Sequence, residues 1–312
     1  MRRTHLSRAL GVLGLVGAAL FVGVGSASAG QPHWSMTVEN LPPLAAAGSE
    51  AGFQVTINNA GPSNVSKLFL GTDTTVAPDY VTTTQGKCTA PGTRLSCTFG
   101  TVRKGTSVTV VAAFPTAADA AAFKAGFFAT TSGASGSDKG HSSHGDTLRD
   151  PNEAATELTN SPDFAGGFSI NGSPVSTDSV LSYSNVQSTT VDPPTGGVVT
   201  TAQDGLPDDA FSCTGCLGTL FGEWSSVDVA GGKVQNGLIK VVLVVRADQI
   251  PSYDTPDDIS LVHVLDDGTT QILDQRCAYG PSANCIDVKA LYSGDFKITA
   301  YVTENGGFKG MG

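Results

Sequence analysis

Residues Leu238 to Arg246 set Ile239, Val241, Leu243 and Val245 on one side of the chain and Lys240 and Arg246 on the other. An apolar residue at every second position is the period of a strand with one buried face. The pattern recurs in Phe53, Val55 and Ile57 against Gln54, Thr56 and Asn58, and in Val108, Val110 and Ala112 against Ser107 and Thr109. It returns near the end in Phe296, Ile298, Ala300 and Val302, which are expected to close the second domain. No long stripe of helical period competes with it, so antiparallel sheets packed face to face are the expected architecture.

Turn chemistry divides these runs. Asn59-Ala60-Gly61-Pro62-Ser63 offers a Gly free to take positive φ, a Pro with fixed φ, and side chains that bond nearby amides. Ile259 to Leu265 and Thr270 to Leu273 flank Asp266-Asp267-Gly268, the signature of a tight hairpin. Further strands are expected at Gly167–Ile170, Val180–Val191 and Gly197–Ala202, with Leu238–Arg246 as a central strand. The Ala-rich stretch Ala117–Ala125 favours a short helix inserted at a loop. From Thr131 to Phe164 the chain turns to Gly, Ser, Asp and Asn, the composition of a linker or long loop. The expected layout is all-β: a signal peptide over 1–29, an Ig-like sandwich over 30–130, a linker over 131–164 and a second sandwich over 165–312.

The signal peptide rests on three features. Arg2, Arg3 and Arg8 form a positive end, Ala9 to Val24 is apolar apart from glycines, and Ala27 and Ala29 supply the small residues of a cleavage site. Cleavage after Ala29 removes three arginines and no acid. The 18 basic side chains then fall to 15 against 28 acidic ones, a net of −13. Such a balance repels phosphate backbones and anionic lipid, which excludes nucleic acid and membrane surfaces as general partners. No membrane span is expected in the mature chain. Residues 304–312 carry neither an apolar tail nor a sorting signal with a basic end, so release or loose wall association is expected.

Six cysteines remain after export, in three close pairs: Cys88 with Cys97, Cys213 with Cys216, and Cys277 with Cys285. In an oxidising compartment such local spacing reads as hairpin or loop staples. The outer two pairs close loops of about ten residues, each worth roughly 2.5–3 kcal/mol of unfolded-chain entropy. Cys213-Thr-Gly-Cys216 leaves three readings open: a structural bridge, a redox couple or half of a zinc site. No second C-x-x-C follows at zinc spacing, which favours the bridge.

The first domain resembles a known family. Asn59-Ala60-Gly61-Pro62-Ser63 after a strand, Cys88 and Cys97 followed by Phe99-Gly100-Thr101, Gly105-Thr106-Ser107-Val108, and Asp150-Pro151-Asn152-Glu153-Ala154-Ala155 carry the likeness. Together they look like the Ig-like repeat of bacterial surface proteins catalogued as domain of unknown function eleven, over roughly residues 34–160. Ala154 and Ala155 stand where the family usually has paired asparagines, and the stretch from Ala117 to Leu148 is longer than expected. The resemblance implies export and a place in extracellular or wall-associated architecture, and it brings no catalytic residues. The C-terminal half is loosely similar to β modules of secreted actinobacterial proteins, through its Asp-Gly hairpin, two cysteines and final Gly294-Asp295 strand.

Searching directly for chemistry, the motifs G-x-S-x-G, H-E-x-x-H and G-x-x-x-x-G-K-[ST] do not occur. No catalytic residue and no cofactor is expected. His263 lies mid-strand between Val262 and Val264, where a satisfied or partly exposed sheet histidine is a simpler reading than a catalytic base. His141, His144 and Asp146 form the sharpest metal candidate, two imidazoles and a carboxylate suited to zinc, copper or nickel. Their Gly- and Ser-rich setting does not preorganise them. Asp204, Asp208 and Asp209, then Asp254, Asp257 and Asp258, then Asp266 and Asp267 sit in expected loops, where calcium is the alternative to ordinary turn formation. The function expected is a non-enzymatic structural or adhesion-type protein of the cell envelope or extracellular space; its partner is left open, with cell-wall or extracellular glycan or protein as the candidates. A loop-based module for a ligand, glycan or metal is the alternative, and an enzyme of unrecognised type in the C-terminal domain is a third reading.

Overall fold

The computed structural model describes residues 34–131, 148–177, 187–192, 195–203, 218–233, 237–252 and 254–312. They form an all-β chain of four sheets. The first sheet runs β1 (Trp34–Leu41), β3 (Glu50–Asn59), β8 (Thr106–Pro115), β5 (Tyr80–Thr83). Facing it, the second runs β2 (Leu44–Ala46), β10 (Leu148–Thr159), β9 (Ala122–Thr130), β4 (Val65–Asp73), β7 (Ser96–Val102), β6 (Lys87–Thr89). Pairing is antiparallel throughout these two sheets except between β2 and β10. The third sheet runs β11 (Phe164–Ser169), β14 (Thr195–Gln203), β15 (Leu220–Lys233), β21 (Gly306–Met311), β17 (Ser260–Leu265), β18 (Thr270–Leu273). The fourth runs β12 (Val175–Ser176), β13 (Gln187–Asp192), β16 (Ile239–Val245), β20 (Phe296–Val302), β19 (Cys285–Ala290).

The alternation read from sequence decides what each strand buries. Phe53, Val55 and Ile57 of β3 meet Leu70, Phe99 and Phe127 from the facing sheet in one apolar core. Phe53 sits at its centre, its ring centroid 5.9 Å from Phe114, 6.0 Å from Phe123 and 5.6 Å from Phe127. A second core joins Val241, Leu243 and Val245 of β16 and Ile298 of β20 to Leu261, Phe308 and Val199 of the third sheet. Two sandwiches with separate cores follow, and β16 is the central strand of its sheet as expected.

Three expectations are corrected. Ala117–Ala125 holds no helix: a turn at 118–119 leads into β9, which pairs with both β10 and β4. Alanine's helix preference is worth only tenths of a kcal/mol per residue, and a central ladder position outweighs it. The linker expected over 131–164 is in part a strand. β10 belongs to the first sandwich and buries Ala154, Thr156 and Leu158 with Ala155 and Glu157 exposed. Small and polar side chains hid that alternation. Nor does β20 end the second domain, because the glycine-rich β21 follows and lies centrally between β15 and β17. Of the expected strand Val180–Val191, the described part is β13, and residues 178–186 lie outside the described residues.

The sandwiches meet side by side. The outer faces of β3, β8 and β5 receive the outer face of the β11–β14 edge, where Ala113, Phe168 and Val198 are buried together with Leu41, Tyr80, Val111 and Ile170 around them. Phe168 lies on Gly52, whose missing side chain makes the room: a Cβ there would stand 2.6 Å from Phe168 Cδ2 and 2.6 Å from Leu41 O. Gly167 does the same from the other side, against Ser49 Oγ and the Glu50 carbonyl. Ser49 Oγ donates to Gly166 O at 3.1 Å, and the Tyr80 and Phe168 rings lie 5.3 Å apart.

Gly52→Ala is expected to lower stability by about 1–3 kcal/mol, the usual cost of overpacking. Urea unfolding measures it, and a variant as stable as the parent would mean that Phe168 does not bear on this backbone.

Candidate functional site

Of the expected disulfides, Cys88–Cys97 and Cys277–Cys285 are formed. The first clamps directly opposed residues of β6 and β7. The second closes the loop that enters β19 beside the end of β20. Cys213 and Cys216 lie outside the described residues, as do His141, His144 and Asp146, the signal peptide, and Asp204, Asp208 and Asp209. Among the described residues, no three His, Cys, Asp or Glu side chains come together in a way that could hold a metal ion.

The remaining acidic clusters separate by role. Asp258 Oδ2 accepts from Thr255 N at 2.9 Å and Thr255 Oγ1 at 2.6 Å, and these bonds hold its carboxyl below the usual aspartate range. Asp267 likewise accepts from Thr269 N at 2.8 Å and is lowered by that bond. Both cap turns. Arg276, which sequence reasoning passed over, fixes the 256–259 loop by donating from Nη2 to the carbonyls of Pro256, Asp257 and Ile259, each at 2.8 Å.

Asp266 and Asp267 also rim a cleft of about 480 Å³ at one end of the second sandwich. Val229, Ile239 and Leu265 give it an apolar base, and Thr303, Glu304 and Asn305 complete the wall. Asn305 secures that wall: its Oδ1 accepts from Val229 N at 2.9 Å, while its Nδ2 donates to Asp228 Oδ1 at 2.8 Å and Val229 O at 3.1 Å. Asp228 is an exposed residue overall. Its carboxyl is still pushed above the usual aspartate range, first by lost hydration and then by the charge of Asp266. Tyr279, fully exposed in the loop closed by Cys277–Cys285, belongs to the same end of the sandwich. The chemistry on offer is carboxylate, amide and hydroxyl groups over an apolar base, with no basic side chain among the lining residues.

His263 is a sheet histidine as expected, but it is neither partly exposed nor fully satisfied. It is 1% exposed, its ring stacks on Phe308 at 4.3 Å, and Nε2 lies 3.3 Å from Asn305 O. A carbonyl only accepts, so Nε2 carries the proton and Nδ1, which has no hydrogen-bond partner, is the bare nitrogen. Burial lowers its pKa, offset in part by the Asn305 carbonyl and by Asp266. A second buried polar group has no local signal in the sequence. Gln187, Thr189, Gln203 and Ser225 are enclosed in the sandwich, with Gln187 Nε2 donating to Ser225 Oγ at 2.7 Å and Gln203 Nε2 to Gln187 O at 2.9 Å. None of the four titrates, so this network serves strand register rather than proton transfer.

No protein-family model matches the chain, and no curated protein matches it. Among solved structures, it is similar to the C-terminal domain of the Streptococcus pyogenes antigen I/II-family protein AspA, at 9% identity over 90% of each chain with a TM-score of 0.29. It is also similar to the Streptococcus agalactiae AgI/II polypeptide BspA C-terminal domain, at 11% identity, covering 89% of this chain and 90% of that one with a TM-score of 0.28. AvmM, which catalyzes macrocyclization in alchivemycin A biosynthesis, matches 42% of this chain and 92% of its own at 13% identity and a TM-score of 0.25. At such identities and scores these likenesses carry no functional argument.

A histidine whose folded pKa is lowered stabilises the fold fully above its ordinary value of 6.5, and that stability is lost as pH falls below it. His263→Phe is therefore expected to flatten the decline in Tm between pH 6.5 and 5. An equally steep decline in the variant would place the acid sensitivity elsewhere.

Proposed function

We propose that this chain is an exported, non-enzymatic structural or adhesion-type protein of the bacterial envelope or extracellular space. The observation that carries this reading is the pair of sandwiches, each clamped by a local disulfide and joined side by side rather than strung on a linker. Disulfides of this kind persist in oxidising compartments. The cleavable leader, the acidic mature chain and the resemblance of residues 34–160 to an Ig-like surface repeat support the same assignment. Among the described residues no helix is long and apolar enough to cross a membrane.

Mass spectrometry of culture medium and washed cell walls tests it. A mature start at Gly30 with oxidised Cys88–Cys97 and Cys277–Cys285, found mainly outside the cell, is expected. An uncleaved, reduced and cell-retained chain would overturn the assignment, and turnover of substrate in a hydrolase panel would overturn its non-enzymatic part.

The cleft favours a second reading, a loop-based binding module. Carboxylates and an amide above an apolar base, with Tyr279 exposed at the same end, are groups that hold hydroxyls and stack on sugar faces. On this reading extracellular glycan binds the mature protein in calorimetry, and Glu304→Ala weakens it about tenfold, the loss of one charge-assisted hydrogen bond. Equal affinity in parent and variant would exclude the cleft.

A further inference from the structure

The joint between the sandwiches encloses a carboxyl with no counter-charge. Glu50 opens β3 on the same strand face as Gly52, the face that Phe168 covers. Its Oε2 is buried and has no hydrogen-bond partner. The Glu50 carbonyl and Ser49 Oγ lie against Gly167, so the residue stands where the two backbones come close together.

The elements around it bring only acids. β2, β8 and β11 carry no titratable side chain, and β8 sets Pro115 opposite Glu50. β1 carries Glu39, which accepts from Gln54 Nε2 at 3.3 Å, four residues along β3 from Glu50. β5 contributes Tyr80, and the residue ahead of it is Asp79, whose amide donates to Ala113 O at 2.9 Å. Asp79 is the charged neighbour that acts on Glu50. Together with burial, the larger cause, it pushes the Glu50 carboxyl up to about 7. None of the three ion pairs among the described residues involves either acid.

We propose that this joint is a proton-dependent hinge, closed over a neutral Glu50 and loosened when Glu50 ionises. An ionised carboxylate needs water or a partner, and the closed joint supplies neither to Oε2. Parting the faces hydrates the group and separates it from Asp79. The open form then ionises near the ordinary value of 4.5, while the closed form holds its proton to about pH 7. The ratio of open to closed joint therefore rises between these two values and is level above the higher one. Because Glu50 is partly exposed, water screens part of the effect, and a rise of about tenfold is the expectation.

A thiol inside the joint reads this ratio. Val198, 5% exposed, is replaced in Val198→Cys, and its labelling by 4,4′-dithiodipyridine is divided at each pH by the rate of an unstructured cysteine peptide. The corrected rate is expected to rise about tenfold from pH 4.5 to 7.5 and to be level in the Val198→Cys, Glu50→Gln double variant. Adding Asp79→Asn instead is expected to reduce the rise, because the repulsion is gone and the carboxyl remains. A corrected rate independent of pH, or a rise undiminished in either double variant, would overturn the proposal. So would an equal rise at Val245→Cys, in the second core, since that thiol reports global unfolding.

Discussion

The contact of the Phe168 ring with the bare backbone of Gly52 sets how the two halves of the molecule sit. Sheets in a sandwich are held about 10 Å apart by two layers of side chains. Here one layer is missing at the joint, because Gly52 and Gly167 present main chain where side chains would otherwise stand. The close approach brings Ser49 within hydrogen-bonding distance of Gly166 and lowers Phe168 between Ala113 and Tyr80. It also encloses Glu50, so the feature that joins the sandwiches is the one that makes the joint sensitive to charge.

Two ionisable groups, His263 buried and Glu50 half-buried, work in opposite senses. His263 is destabilised by gaining a proton, since burial beside Phe308 favours the neutral ring. Glu50 is destabilised by losing one. Acidification from neutral therefore weakens the second sandwich while tightening the joint. The two effects are separable because His263 lies between the sheets of one sandwich and Glu50 on the outer face of the other. In contrast, the network of Gln187, Thr189, Gln203 and Ser225 holds its register at every pH, since amides and hydroxyls keep their hydrogen-bonding character over the range.

Strands with large apolar residues at alternate positions were legible, and so were the hairpin at Asp266-Asp267-Gly268 and two of the cysteine pairs. β10 and β21 were not, for related reasons. β10 buries Ala154 and Thr156, which carry little hydrophobic signal, and β21 is half glycine yet central in its sheet. Their places are fixed by the neighbours on each side, information that no local window contains. Asp258 and Asp267 are the turn formers their setting suggested, but the cleft wall depends on Asn305, whose three hydrogen bonds reach across some 76 residues of chain. Glu50 was invisible for the same reason: nothing in Ser49-Glu50-Ala51-Gly52 tells of Phe168 or Asp79.

Magnitudes decide which part of the molecule yields to a single titration. Among the described residues, the apolar side chains that the joint buries fully are Ala113, Phe168 and Val198. At about 1.5–3 kcal/mol for a large side chain, that is roughly 3–6 kcal/mol of apolar burial. Each core buries about six to seven times as many side chains and is further held by continuous ladders. An unfavourable ionisation worth about 1 kcal/mol after solvent screening is small against either core but a sizeable fraction of the joint. Ionisation of Glu50 therefore changes the angle or contact between two intact sandwiches rather than melting either. On the proposed extracellular role, that division lets shape follow the pH of the surroundings while the disulfide-clamped cores stay folded.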